Sequence, residues 1–431
     1  MQRVGTFDSN SFDVETGVVD HRGTIDMRGF LLSRDLVDER ALNQQNCLDA
    51  FNRVASNLPQ SPPPGLSGRG VVICGGGTKY LPSAWVCVNM LRHFGCNLPI
   101  ELWHLGASEM PDEVASLLND GLGVRCVDAE RVREIYPARI LRGWELKPYA
   151  MLHSRFAQVL LLDADNVCVR DPTHLFEIEE YQKTGALFWP DYGCMQRGHA
   201  IWKLTGISPQ SQREFESGQM VVDKRRCWRE MLLTMWINEN SDFWYRYIHG
   251  DKETFHLAWL KLRRSYSMAG RGILTLNGTM CQHDFEGKRL FQHRNHLKWS
   301  LVRNPHVPGF VFETECNNYL LKLKPLDRVI AHCPPLDADL AKPIAGRAAT
   351  YHRVKHDQRP MSFDPDGRIG QGTARLERFW NIRLEGDSAV LEIFGENGIT
   401  ARLVEHPQGS GLWQGRWLKH ERMAVHIHFE Q

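Results

Sequence analysis

Between residues 70 and 127, apolar runs of strand length alternate with helix-length stretches, and this alternation limits the fold more than any other feature of the chain. Val71-Val72-Ile73-Cys74, Leu98 to His104 and Gly123 to Val127 read as strands. Leu81 to Phe94 and Glu109 to Leu118 read as the helices between them, the second opened by Pro111 near its first turn. Strand, helix, strand, helix, strand at this spacing predicts βαβ units and a mostly parallel sheet. Lys147 to Arg155 then predicts a helix feeding a strand at Val159 to Leu162. Ala186 to Trp189 and Gly218 to Val222 predict later strands, and Trp228 to Trp236 and Glu253 to Leu262 later helices.

The two ends of the chain follow other rhythms. Leu36, Ala41, Cys47, Leu48, Phe51 and Val54 recur at roughly helical spacing before a stiff Ser61-Pro62-Pro63-Pro64-Gly65 linker. After about residue 355, five short alternating segments are separated by Gly, Asp, Asn and Pro: Trp380–Leu384, Ser388–Ile393, Ile399–Leu403, Leu412–Trp417 and Met423–Phe429. They predict a small antiparallel β unit. Trp413, Gly415 and Trp417 share one face of their strand, so Trp380, Trp413 and Trp417 are expected mainly in its core, with a sugar-stacking platform as the alternative. A length of 431 residues suggests two or three domains. The expected division is a helical or irregular extension at 1–64, an α/β domain at 65–355 and a small β domain at 356–431.

Bulk chemistry excludes several classes. The net charge of +1 provides no broad field for nucleic acid or an acidic membrane. The longest apolar runs are strand-sized, far short of the roughly 20 residues that span a bilayer, and the first residues carry no apolar leader. Eleven cysteines without a CxxC pair fit a reducing compartment. A cytoplasmic protein, if anything peripheral to a membrane, is expected.

Chemistry concentrates after the strand Val159-Leu160-Leu161-Leu162, which runs into Asp163-Ala164-Asp165. Ligands of open α/β sheets bind beyond the carboxyl ends of strands, and carboxylates there suit a hard divalent cation held against phosphate oxygens. An Asx turn is the bland alternative. Gly75-Gly76-Gly77 after the first strand lets backbone approach a ligand, and Tyr80 is placed to stack on a base. His293 added to two carboxylates makes a plausible Mn²⁺ set, with His283 as a competing ligand and Lys298 in reach of a diphosphate. Asp251 opens a helix, either as its N-cap or facing a sugar hydroxyl.

Together these pieces resemble the fungal α-1,3-mannosyltransferase family and, more distantly, the retaining GT-A enzymes of the glycogenin and galactosyltransferase-like group. The resemblance runs in order through Gly70–Tyr80, Leu98–Leu105, Lys147-Pro148-Tyr149-Ala150, Leu162–Asp165, Glu216-Ser217-Gly218-Gln219, Gly250–Phe255 and Phe291–Lys298. It implies an α/β GT-A nucleotide-diphospho-sugar transferase fold, a Rossmann-like and mostly parallel sheet, with the β-rich C-terminal unit lying outside it. It implies a retaining hexosyl transfer that depends on Mn²⁺ or Mg²⁺, held by Asp163, Asp165 and His293. Gly75, Gly76, Gly77, Tyr80, Lys147, Asp163, Gln219 and Lys298 would bind the donor, and Glu216, Asp251 and Lys252 would serve the reaction. Lys252 stands where the distant relatives carry Gln.

The expected partners are a nucleotide-diphospho-sugar, preferably GDP-mannose, and a carbohydrate or glycoconjugate acceptor. A homo-oligomer is compatible with the sequence. UDP-glucose or UDP-galactose donors are the nearest alternative, followed by a non-catalytic carbohydrate-binding protein and a phospho- or nucleotidyltransferase.

Overall fold

The computed structural model describes residues 42–396, 398–419 and 423–429. The start of the expected N-terminal helix, up to residue 41, lies outside the described residues; residues 42–46 form a turn, and the helix begins only at α1 (Cys47–Asn57). Then come β1 (Ser67–Cys74), α2 (Gly77–His93), β2 (Ile100–His104), α3 (Asp112–Leu122), β3 (Val124–Asp128), α4 (Ala129–Ile135), α5 (Leu146–His153) and β4 (Phe156–Asp163). Pro111 precedes α3 in extended conformation rather than lying inside it, at the N-cap, where its missing N–H costs no helical bond and its carbonyl accepts from Val114 and Ala115. The chain continues through β5 (Asn166–Cys168), α6 (Glu179–Thr184), β6 (Ala186–Pro190), α7 (Ala200–Thr205), β7 (Phe215–Asp223), α8 (Trp228–Glu239), α9 (Ser241–Trp244) and α10 (Lys252–Leu262). Next are β8 (Ser267–Met268), β9 (Leu274–Leu276), β10 (Thr279–His283), β11 (Arg289–His293) and α11 (Glu313–Leu323).

The first sheet has the order β3-β2-β1-β4-β7-β6-β8. Its first four strands are parallel, β7 is antiparallel to both neighbours, and β8 is parallel to β6. This is the Rossmann-like, mostly parallel arrangement expected from the sequence. Side chains alternate across a strand: Val159 and Leu161 of β4 enter one core with α5, α8 and α10, while Leu160 and Leu162 enter the other with α2, α3 and α11. Burial on both faces is why β4 reads as an unbroken apolar run.

Two antiparallel sheets accompany it. The smaller has the order β5-β11-β10-β9. The larger contains β12 (Arg347–Arg353), β13 (Asp357–Phe363), β14 (Phe379–Glu385), β15 (Ser388–Gly395), β16 (Gly398–Glu405), β17 (Leu412–Trp417) and β18 (Ala424–Phe429), in the order β13-β12-β18-β17-β16-β15-β14. Its edge strands are linked at one end through the 363–379 segment by the bridges Phe363–Ile369 and Arg368–Phe379. Five strands were expected here from sequence. The two extra ones, β12 and β13, carry their charges on the same face as their core residues, Arg347 and Arg353 with Tyr351 and Asp357 and Arg359 with Met361, and so lack clean alternation. Trp380, Trp413 and Trp417 are at most 5% exposed and pack together with Tyr351, Leu391 and Ile427. They are core, and no sugar platform is available on them.

Candidate active site

Strand topology assembles the site. Asp163 ends β4, in register with Cys74 at the end of β1. The chain turns through Ala164 and Asp165 into β5, where Asn166 pairs with His293 at the end of β11. The small sheet thus carries His293 across 128 residues of sequence to the aspartates. Its Nε2 lies 3.1 Å from Asp165 Oδ1 and 3.6 Å from Asp163 Oδ2. One donor atom from each of the three residues falls within 4.8 Å of the others. His283 is excluded by the same pairing: it sits opposite Arg289, at the far end of the β10–β11 ladder.

Two lysines flank the aspartates. Lys147 Nζ is 2.8 Å from Asp163 Oδ1, 3.2 Å from Asp251 Oδ2 and 3.2 Å from Ser217 Oγ. Lys298 ion-pairs with Asp165, donates to the Asn295 carbonyl at 3.1 Å and lies 5.4 Å from the centre of the Tyr80 ring. Lys79 also lies over that ring, at 4.9 Å, so the π face of Tyr80 is shared with cations rather than left open for a base. Asp251 occupies the N-cap position of α10 but makes no side-chain cap bond. Its carboxylate is engaged by Lys147, so its two sequence readings resolve toward the site.

Burial and charge set the protonation pattern. Burial alone would raise the Asp165 carboxyl, but His293 and Lys298 hold it well below the carboxylate range. Burial raises both Glu216 and Asp251; nearby cations, His293 for Glu216 and Lys147 for Asp251, offset this only in part. Burial would lower His293, but Asp165, Glu216 and Asp163 around it raise it to about 9.

Other expected residues take supporting positions. Gly75 and Gly77 donate their amides to the carbonyls of Trp103 and Glu109, so these two N–H groups are not free for phosphate. A Cβ on Gly75 would meet Ala164 at 2.9 Å, and one on Gly76 would meet Glu109 at 2.7 Å. Gly75 therefore serves close packing beneath the aspartate turn, and Gly76 close packing against Glu109 and His104. Gln219 is fully buried, accepting from Asn166 Nδ2 at 2.7 Å and donating to Gln282 Oε1 at 2.5 Å. It braces the site from behind and does not line it. Lys252 is drawn away from the cluster by Asp191, Glu214 and Glu253. Its charge is neutralised there, and the geometry gives it an anchoring position at the start of α10.

Sequence reasoning passed over Asn166, and Gly218 for itself. Asn166 Nδ2 also donates to the Gly218 carbonyl at 2.9 Å, and the Gly218 amide donates to Glu216 Oε2 at 2.6 Å. A Cβ on Gly218 would lie 2.5 Å from His293 Nδ1. The glycine inside Glu216-Ser217-Gly218-Gln219 was the available signal, since a glycine within a strand often marks close approach. Gly218→Ala is expected to tilt the imidazole and weaken Mn²⁺ binding by roughly 10–100-fold, measured by titration with the ion.

The donor set fits a divalent cation: two carboxylates and one imidazole converge, and their charge is met here by Lys147, Lys298 and protonated His293. A metal ligand must be deprotonated. Because His293 is raised to about 9, an incoming cation displaces its proton throughout the neutral range. Mn²⁺ affinity is therefore expected to rise about tenfold per pH unit from roughly pH 6 toward 9 and then level off. A flat profile in isothermal titration over that window would remove His293 from the ligand set.

The region that builds this site matches a family model. Mannosyl_trans3, a mannosyltransferase family, aligns with residues 68–205 and 207–293, just over half of the chain. The chain belongs to this mannosyltransferase family. Its relatives include alpha-1,2-mannosyltransferase MNN2 of Saccharomyces cerevisiae, 25% identical over 305 residues covering 59% of this chain and 50% of the relative. Alpha-1,2-mannosyltransferase MNN21 of Candida albicans is 25% identical over 292 residues, covering 54% of this chain and 44% of its own. The chain thus spans about half the length of these relatives. They are named for 1,2 linkages, whereas the resemblance read from sequence was to α-1,3 enzymes. Among solved structures, the WbbM bifunctional glycosyltransferase matches with 16% identity and a TM-score of 0.37 over 48% of this chain and 40% of its own. No described helix is long and apolar enough to cross a membrane.

Proposed function

We propose that this member of the mannosyltransferase family transfers mannose from GDP-mannose to a hydroxyl of a mannose-containing acceptor, with retention and an α-1,2 linkage. The observation that carries the reading is the convergence of Asp163, Asp165 and His293 between two lysines at the carboxyl end of β4. A cation held by those three residues would supply Lewis-acid neutralisation of the diphosphate. Lys298, beside Asp165, adds positive charge where the leaving group gains negative charge. Lys147 fixes Asp163 and Asp251 relative to one another.

In the reaction the bond between the anomeric carbon and the phosphate oxygen breaks, and a bond from that carbon to the acceptor oxygen forms on the same face. The acceptor proton passes to the departing phosphate oxygen. Glu216 is an ill-placed nucleophile for the alternative double displacement, since it accepts from the Gly218 amide and its other oxygen faces His293 at 3.7 Å. Asp251 is likewise held by Lys147.

The test incubates the protein and Mn²⁺ with GDP-mannose, UDP-glucose or UDP-galactose and α-linked mannobiose, then assigns the product linkage by NMR. GDP release with a new α-1,2-linked mannose is expected. Turnover of a UDP-sugar alone would overturn the donor, and an α-1,3 product would overturn the linkage.

A further inference from the structure

The root of the C-terminal sheet reaches back to the glycine turn. α12 (Asp327–Ile330) follows α11 and joins the two parts of the chain. Ile330 enters the core that holds α2 and α11, whereas Ala331 and Cys333 pack with Phe379 and Phe394 of the C-terminal unit. Arg328 donates to the carbonyls of Gly367 at 3.2 Å and Trp380 at 3.3 Å, and Asp327 ion-pairs with Arg378. The short helix is thus fixed to both.

Its end carries a side chain where the backbone favours none. The His332 amide donates to the Val329 carbonyl at 2.9 Å and the Cys333 amide to the Arg328 carbonyl at 3.1 Å, the paired bonds of a Schellman motif. The motif puts one residue in the left-handed region, and His332 takes it with φ +54°. Glycine is the usual occupant because it has no Cβ to crowd. The imidazole is exposed, so core packing does not account for it. It is instead directed: His332 Nε2 donates to the Ser108 carbonyl at 2.6 Å, across 224 residues of sequence. A residue kept in a disfavoured conformation and committed to a distant contact is an outlier from which a role can be argued.

Ser108 precedes Glu109, the residue that closes the glycine turn. The Glu109 carbonyl accepts the Gly77 amide at 2.7 Å, and its Oε2 accepts the Leu105 amide at 2.7 Å. Its side chain lies so close over Gly76 that a Cβ there would meet it at 2.7 Å. Gly75 in turn packs on Ala164, between the two aspartates. A continuous line of contacts therefore runs from His332 through Ser108 and Glu109 to Gly75–Gly77 and on to Asp163-Ala164-Asp165.

We propose that His332 is a positioning residue for the nucleotide-sugar: it braces the Ser108–Glu109 loop, and through it the glycine turn, so that the C-terminal β unit sets the donor side of the site. This rests on the transferase reading and gives the C-terminal unit a part in it. Groups that hold a ligand work only when the layer behind them is fixed. Replacing His332 by glycine separates this role from a structural one. The substitution relieves the left-handed backbone while removing the bond to Ser108, so stability and donor affinity should part company.

The test compares the full chain with its His332→Gly and His332→Gln variants. His332→Gly is expected to unfold within about 2 °C of the parent, yet to exchange the amides of Gly77 and Leu105 faster in hydrogen-exchange mass spectrometry. It should weaken GDP binding in Mn²⁺ about fivefold, the effect of one lost hydrogen bond. The KM for GDP-mannose should rise by a similar factor while that for mannobiose moves less than about twofold. His332→Gln keeps an N–H at similar reach and is expected to retain most of the affinity and protection. Unchanged exchange in His332→Gly, faster exchange with parental GDP affinity, or a parallel rise in both KM values would each overturn the proposal. The exchange arm needs no ligand. Faster exchange in His332→Gly, in a protein whose parent binds no GDP, would keep the brace on the glycine turn and reject the transferase reading.

Discussion

Asp165→Asn is expected to remove transfer almost completely. The substitution keeps the size of the side chain but withdraws the charge that His293 and Lys298 both address. Lewis-acid stabilisation of the kind proposed is worth several kcal/mol, so turnover should fall by about 10³-fold or more. Mn²⁺-dependent binding of GDP should disappear in the same variant. Separating a folding defect from a lost site requires thermal unfolding of parent and variant side by side, together with nucleotide titration. A folded Asp165→Asn protein that transfers mannose at the parental rate would sink the metal assignment.

Lys147→Met is expected to damage both stability and activity. The lysine side chain is 11% exposed and separates the carboxylates of Asp163 and Asp251. Removing one partner of a buried ionic group leaves uncompensated charge and costs roughly 3–5 kcal/mol, here with two carboxylates left facing each other. The loss has a defined pH dependence. Asp251 is already raised, chiefly by burial, with Lys147 pulling it down; without the lysine it rises further. A carboxyl raised above its unfolded value costs stability where it must ionise, and that cost is relieved as pH falls through its folded value. The variant's deficit in urea unfolding should therefore be smaller near pH 5 than near pH 8. An identical deficit at both values would mean that lost packing, and not unpaired charge, accounts for it.

How far the sequence reaches can be judged element by element. The unbroken apolar run Val159–Leu162 and the spacing of its neighbours were enough to place a parallel strand with Asp163 and Asp165 at its end, because burial on both faces leaves that signature in one dimension. The tryptophans of the last β unit could be assigned to its core from alternation alone. What local pattern could not decide was which distant groups meet. The family resemblance favoured His293 over the competing His283, and the antiparallel register of β10 and β11, with its irregularity between Gln282 and His283, takes the first to the aspartates and leaves the second behind. Lys252, beside Asp251, invited a role in the reaction, and Asp191 and Glu214 from distant segments, with its neighbour Glu253, claim it. Gly218 sits inside a stretch that carried the resemblance, but its own significance comes from what a Cβ there would strike. Periodicity records which face of an element is buried, so the sequence by itself determined the main strands of the first sheet, five of the seven strands of the last one and the acidic turn. Pair distances across 70 to 128 residues of chain are set by register and packing, so the convergence of the expected ligands and the lysine bridge between Asp163 and Asp251 were decided only by the tertiary structure.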